Sequence, residues 1–141
     1  MAVRTVALNF ATKKDSVIDI TNDVADAVGK TGITDGIVLV FVPGSTGAVT
    51  TIEYEPGLQK DIFTAFERIA PKMGEYAHNL RWGDGNGYSH VRAAVVGPSL
   101  AVPLVNGRLV LGTWQQIVFL ELDNRDRDRK VIVQVVGETI S

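Results

Sequence analysis

Residues 36–42 read Gly-Ile-Val-Leu-Val-Phe-Val and stop at Pro43, and this run limits the fold more than any other feature of the chain. A strand with one face in water alternates apolar and polar side chains, whereas an unbroken apolar run suits a strand covered on both faces. Seven residues are far short of the about 20 that a membrane-spanning helix requires. The segment is therefore expected at the centre of a sheet.

Other elements follow from periodicity. Val6, Leu8 and Phe10 alternate with Thr5, Ala7 and Asn9, predicting an opening strand with residues 16–20 returning as its hairpin partner. Thr21 or Asn22 is placed to cap a helix with Val24 and Val28 on its apolar stripe and Gly32 at its end. Residues 48–54 are β-branched and are expected to pair beside the central strand. Pro56-Gly57 then starts a second helix with Leu58, Ile62, Phe66 and Ile69 on one face, ended by Pro71. The second half reads as strands at 90–96, 100–105, 108–111, 116–122 and 130–137. Asn106-Gly107 is a two-residue hairpin turn, and the charged stretch 124–130 is a solvated loop.

One domain covering residues 1–141 accounts for this length, and an α+β class with two main helices accounts for the pattern. The formal net charge is −2 with no run of lysines and arginines, which argues against nucleic acid as a partner. No apolar run is long enough for a bilayer. Residues 1–10 lack the unbroken apolar core of a secretory signal, so the cytoplasm is the expected compartment. With no cysteine, disulfides and thiolate chemistry are excluded, and a metal would rest on histidine and oxygen ligands.

Polar chemistry concentrates in residues 76–92, which hold both histidines, His78 and His90, together with Arg81, Asp84, Asn86, Arg92 and three glycines. Asp84 and Asn86 offer oxygens and the histidines offer neutral nitrogens near pH 7, so a cation site or a phosphate site is chemically reasonable. The alternative is a surface loop in which 84–87 only turns the chain. Gly44-Ser45-Thr46-Gly47, directly after the central strand, can aim backbone N–H groups at an anion, or simply connect two strands. Glu53 follows as a lone carboxylate. A bulge at 112–116 would re-aim Trp114 and Gln115 toward a ligand, unless Trp114 fills core volume.

These residues also carry a resemblance. Thr50-Thr51-Ile52-Glu53, His78-Asn79, Asp84 with Asn86 and His90, Gly97-Pro98-Ser99, Val102-Pro103, and above all Leu111-Gly112-Thr113-Trp114-Gln115 followed by Glu121 resemble the YjbQ-like family over nearly the whole chain. Members are often labelled secondary thiamine-phosphate synthase. The resemblance implies a compact α+β fold with a large mixed, mostly antiparallel sheet and a homotrimer. It also implies a polar site near subunit boundaries whose histidines hold a divalent metal such as magnesium or zinc.

The implied reaction joins a hydroxymethylpyrimidine diphosphate to a thiazole phosphate with release of pyrophosphate, so the expected partner is a small phosphorylated metabolite. Carried onto this chain, the scheme has Asp84 and Glu53 hold or orient the cation and His90 act as acid or base. Arg81 or Arg92 clamps phosphate, and Trp114 is a stacking wall. The family usually reads histidine-threonine-serine-alanine where this chain has Gly44-Ser45-Thr46-Gly47. With only His78 and His90 left, the metal set is completed by Asp84 (giving His78, His90 and Asp84) or by Glu53, completed by a neighbouring subunit, or replaced by an anion site at 44–47. The competing class is a trimeric protein that binds a metal or phosphometabolite without catalysis.

Overall fold

The computed structural model describes residues 1–140. The alternation at the N-terminus does make a strand, β1 (Ala2–Thr12), but its partner is the last strand of the chain, β8 (Arg127–Thr139), from Ala2 opposite Gly137 to Thr12 opposite Arg127. β8 pairs in turn with β3 (Ile33–Phe41), β3 with β5 (Ser99–Val105), and β5 with the short β6 (Arg108–Leu109). A second sheet has the order β2 (Ser16–Asp19), β7 (Gln116–Glu121), β4 (Gly47–Ile52). Every ladder is antiparallel.

Two pairings differ from expectation, and β7 is the reason. It is buried almost throughout, so its backbone N–H and C=O groups need partners on both edges. β2 supplies one edge and β4 the other. Residues 16–20 are thus drawn away from β1, and residues 48–54 away from the central strand.

Four helices lie among the described residues: α1 (Thr21–Thr31), α2 (Pro56–Ile69), α3 (Ala77–Trp82) and α4 (Gly87–Val96). α2 starts and stops as read. Glu55 caps it, its carboxylate accepting hydrogen bonds from the Gly57 and Leu58 N–H groups, and Pro56 occupies the first turn, where no N–H is needed. α1 ends at Gly32 in the left-handed region (φ 73°). Neither Thr21 nor Asn22 caps its start. Instead the Asp19 carboxylate accepts from the Thr21 N–H and hydroxyl, and the Ile117 N–H donates to that hydroxyl, tying α1 to β7. The hairpin turn at Asn106-Gly107 is confirmed, with φ of 51° and 77°.

Residues 90–96, expected as a strand, are helical. Their valines favour strand locally, but Tyr88, Ser89, Arg92 and Ala93 are buried at helical spacing, and tertiary packing overrides the weak local preference. Arg92 is 1% exposed. Its Nε donates to the Ala70 carbonyl, its Nη2 pairs with Glu67 at 2.8 Å, and its guanidinium lies 4.9 Å from the Tyr88 ring centroid. It fastens α4 to the end of α2.

The layers run five-stranded sheet, three-stranded sheet, helices. Val38, Val40, Val131, Val133 and Val135 face Phe119, Ile117 and Val49 across the first core, which α1 closes with Val24, Ala27 and Val28. The opposite face of the three-stranded sheet, through Ala48, Val118, Leu120 and Leu122, packs on Phe66 of α2 and Ala93 of α4. Residues 36–42 are central in order but covered on one face only. Ile37 is 59% exposed, and Leu39 and Phe41 stand beside it on the outer face. None of the helices is long and apolar enough to cross a membrane.

Candidate functional site

A cleft of about 1050 Å³ opens where β3 ends and β8 begins. One wall is the 43–46 loop, a second is the α3–α4 turn with Asp84, Asn86 and His90, and a third runs from Asp123 along the first residues of β8. Three sequence segments that looked separate therefore meet here.

His90 stands in the first turn of α4, and the ring of His78 on α3 lies 4.4 Å from it, centroid to centroid, at 41°. The Asn79 side-chain oxygen accepts a hydrogen bond from the Gly87 N–H at 2.9 Å, which docks α3 on the start of α4 and holds the two rings together. His78 Nδ1 is buried without a hydrogen bond, 3.5 Å from Asp84 Oδ1. Burial pushes the His90 pKa below its ordinary 6.5, and the neighbouring His78 adds to the shift, while Asp123 and Asp84 partly offset it. His90 is therefore neutral at pH 7. A group shifted this way contributes stability above pH 6.5 that is lost as the pH falls through and below that value.

The Asn86 amide has a carboxylate on each side. In one orientation it donates to Asp123 Oδ1 at 3.3 Å; turned over, it donates to both Asp84 oxygens at 3.0 Å. The second orientation makes two shorter bonds and is the better satisfied. Asp123 is 1% exposed. Burial alone would raise its pKa, but the Asn124 N–H, the Thr46 side chain and the Arg127 charge, with the Asn86 amide in the first of its orientations, outweigh burial and hold it below the usual 3.8. Arg127 Nη1 meets Asp123 Oδ2 at 2.7 Å.

Beneath this layer Glu121, fully buried, accepts from Thr12 Oγ1 (2.5 Å), from Arg129 Nε (2.7 Å) and Nη2 (2.5 Å), and from the Asp123 N–H (3.1 Å). Arg129 Nη2 also donates to Thr46 Oγ1 at 2.9 Å, and that hydroxyl donates to Asp123 at 3.1 Å.

Of the residues singled out in the sequence, Asp84, Asn86, His90, Gly44, Ser45 and Thr46 line the cleft, and His78 stands behind His90. Others do not. Gly47 begins β4, outside the cleft lining, where a side chain would lie 2.6 Å from the Phe119 ring, so close packing accounts for a glycine there. Glu53 is exposed at the far end of β4, six residues or about 20 Å of strand away. Arg81 is exposed and stacks on Trp82. Arg92 is the structural anchor described above. Trp114 is 72% exposed and fills neither core nor cleft, while Gln115 closes a local turn by accepting from the Gly112 N–H and donating to Thr51.

Arg125, Arg127, Arg129 and Lys130 were hidden in the expected loop at 124–130, and Asp123, just before it, was not singled out. A signal was present: Arg127 and Arg129 share the parity of Val131, Val133 and Val135, so the period-2 pattern carries both arginines onto the inward face of β8.

His78, Asp84 and His90 do cluster, and the orphaned His78 nitrogen invites a partner. Among the described residues, however, no three histidine or carboxylate side chains are arranged to hold a metal ion.

A family model described as "UPF0047 protein YjbQ-like" matches residues 6–138. The chain belongs to the YjbQ-like UPF0047 family. A UPF0047 protein of Methanothermobacter thermautotrophicus is 40% identical over 139 residues, covering 98% of this chain and 95% of that one. The UPF0047 protein YugU of Bacillus subtilis is 38% identical, covering 89% and 93%. Among solved structures, a hypothetical protein of Aeropyrum pernix K1 superposes with a TM-score of 0.89 at 35% identity, covering 96% of this chain and 99% of that one. A protein of unknown function from Sulfolobus solfataricus P2 gives 0.87 at 34% identity, covering 97% and 100%. The YjbQ-like fold is thereby shown for this chain, and these relatives carry no stated activity.

Proposed function

We propose that the chain binds a small phosphorylated metabolite in this cleft and uses it as a thiamine-phosphate synthase-like transferase would, joining a pyrimidine diphosphate to a thiazole phosphate. One observation carries the reading: His90, Asp84 and Asn86 line the same cleft as Arg127, Lys130 and the Ser45-Thr46 loop. In such a transfer the thiazole nitrogen forms a bond to the pyrimidine methylene carbon as the carbon–oxygen bond to the diphosphate breaks. The electron pair leaves with pyrophosphate. Arg127 and Lys130 are placed to stabilise the charge that develops there, and fixed cationic donors lower such barriers effectively where water is partly excluded. His90, uncharged at neutral pH, orients the substrate as a hydrogen-bond donor or acceptor.

The experiment is turnover of the purified protein with both precursors, with and without magnesium, for wild type, His90→Ala and Asp84→Ala. A rate lost tenfold or more in both variants is expected, and equal background rates in all three contradict the enzymatic reading. The distance of Glu53, Arg81 and Arg92 from the cleft favours a second reading, binding without catalysis, which predicts calorimetric heat with phosphorylated ligands and no product.

A homotrimer is part of the proposal. The outward face of the five-stranded sheet leaves Ile37, Leu39 and Phe41 exposed, and Phe41 is paired with Ile132, which itself lines the cleft. A second copy on this face would cover the apolar strand on its open side and border the cleft. Light scattering should return the mass of three chains; the mass of one contradicts this.

A further inference from the structure

Resting on the reading that the cleft takes a phosphorylated metabolite, the geometry points to Arg129 as a buried, preset phosphoryl-oxygen donor whose free Nη1 faces the cleft beneath Gly44. The side chain is 7% exposed and held on two of its nitrogens: Nε and Nη2 bind the two Glu121 oxygens, and Nη2 also binds Thr46. Nη1 has no hydrogen-bond partner among the described residues, yet Arg129 lines the cleft together with Gly44, Ser45 and Thr46. Nη1 is not among the buried polar atoms left without a partner, so it is open to the cleft, and an oxyanion can reach it without breaking any bond that holds the guanidinium in place.

Gly44 sets the access. A methyl group at position 44 would stand 3.4 Å from Nη1, so a longer side chain there would lie over the donor. Gly44 has no positive φ that would demand glycine. Its N–H donates to the Val42 carbonyl at 2.9 Å, so it adds no backbone donor for an anion and corrects the expectation of a nest starting there. What remains for this glycine is openness above the guanidinium. Because Glu121 fixes both the position and the tilt of Arg129, an oxyanion meets a donor that loses almost no side-chain freedom on binding. Glu121 also balances its charge, so the site selects by direction more than by net attraction, which suits one oxygen of a terminal phosphoryl group.

Inorganic pyrophosphate is the probe. Calorimetry on wild type and Gly44→Leu is combined with nitrogen-15 spectra of arginine-labelled protein, in which saturation should shift the Arg129 guanidinium signals. Gly44→Leu removes none of the bonds between Arg129 and Glu121, and an unchanged far-ultraviolet circular dichroism spectrum and melting temperature check that the variant folds. At least tenfold weaker binding in Gly44→Leu, together with a shifted Arg129 signal in wild type, supports the assignment. If Gly44→Leu binds as wild type does, or if the Arg129 signals stay still while heat is evolved, Arg129 is not the donor although the cleft still binds phosphate. If wild type binds no pyrophosphate, the donor and the phosphometabolite reading fall together.

Discussion

Replacing Glu121 with leucine is expected to remove about 3–5 kcal/mol of folding stability, because it strands a buried guanidinium without its counter-charge. Glu121 is fully buried and accepts four hydrogen bonds, from Thr12, twice from Arg129, and from the Asp123 N–H. Deleting it leaves Thr12 and Asp123 short of a partner as well as Arg129. Domains of this size are stable by about 5–15 kcal/mol, so the loss is roughly a fifth or more of the total. The companion Glu121→Leu/Arg129→Met variant removes both charges and should recover most of it, since well-packed apolar replacements of a buried pair are often neutral. Urea unfolding followed by far-ultraviolet circular dichroism measures both. Trp82 and Trp114 are 65% and 72% exposed and would report poorly by fluorescence. A single-variant loss under about 1 kcal/mol would show that the pair does not hold the site.

The second large effect concerns Arg127→Ala, for which pyrophosphate affinity should fall about tenfold to a hundredfold, the range of one charge-assisted hydrogen bond. Arg127 is also the cation that helps hold the Asp123 pKa below 3.8. A carboxylate depressed in the folded state contributes stability above its unfolded pKa, and that contribution is lost as the pH falls through the folded value. Removing Arg127 narrows this window, so the variant should unfold at higher pH on acidification than wild type. Unchanged affinity combined with an unchanged acid transition would mean that Arg127 serves neither ligand nor Asp123.

Much of the fold was legible from local pattern. The opening strand, α2 with its proline start, the Asn106-Gly107 turn and the strands at 100–105 and 116–122 were all readable because each signal lies within one short segment. Pairing was not, because the partner of β1 is more than a hundred residues away and β7 competes for β2 and β4 through its own unpaired edges. Residues 90–96 misled because valine content favours strand, whereas the packing of Tyr88, Arg92 and Ala93 decides for helix.

The site divides in the same way. His78, Asp84, Asn86 and His90 were found because they crowd one segment, and the structure keeps them together. Glu53, Arg81, Arg92, Trp114 and Gln115 were selected for chemical type alone, and type does not say which way a strand or helix turns a side chain. Arg127 and Arg129 were missed because a dense charge run resembles a solvated loop. Only the parity shared with Val131, Val133 and Val135 separates an inward arginine from a solvated one. Apolar residues 36–42 were read as doubly covered, and the chain by itself covers them once. That difference leaves Ile37, Leu39 and Phe41 exposed on the outer face, the face to which the proposed trimer is assigned.

Crystals of the wild-type protein soaked with pyrophosphate test the central claim most directly. The account predicts density between Ser45-Thr46 and the start of β8, within hydrogen-bonding distance of Arg127 and of Arg129 Nη1. A pyrophosphate seated elsewhere at full occupancy, or an unchanged cleft at saturating concentration, would contradict it.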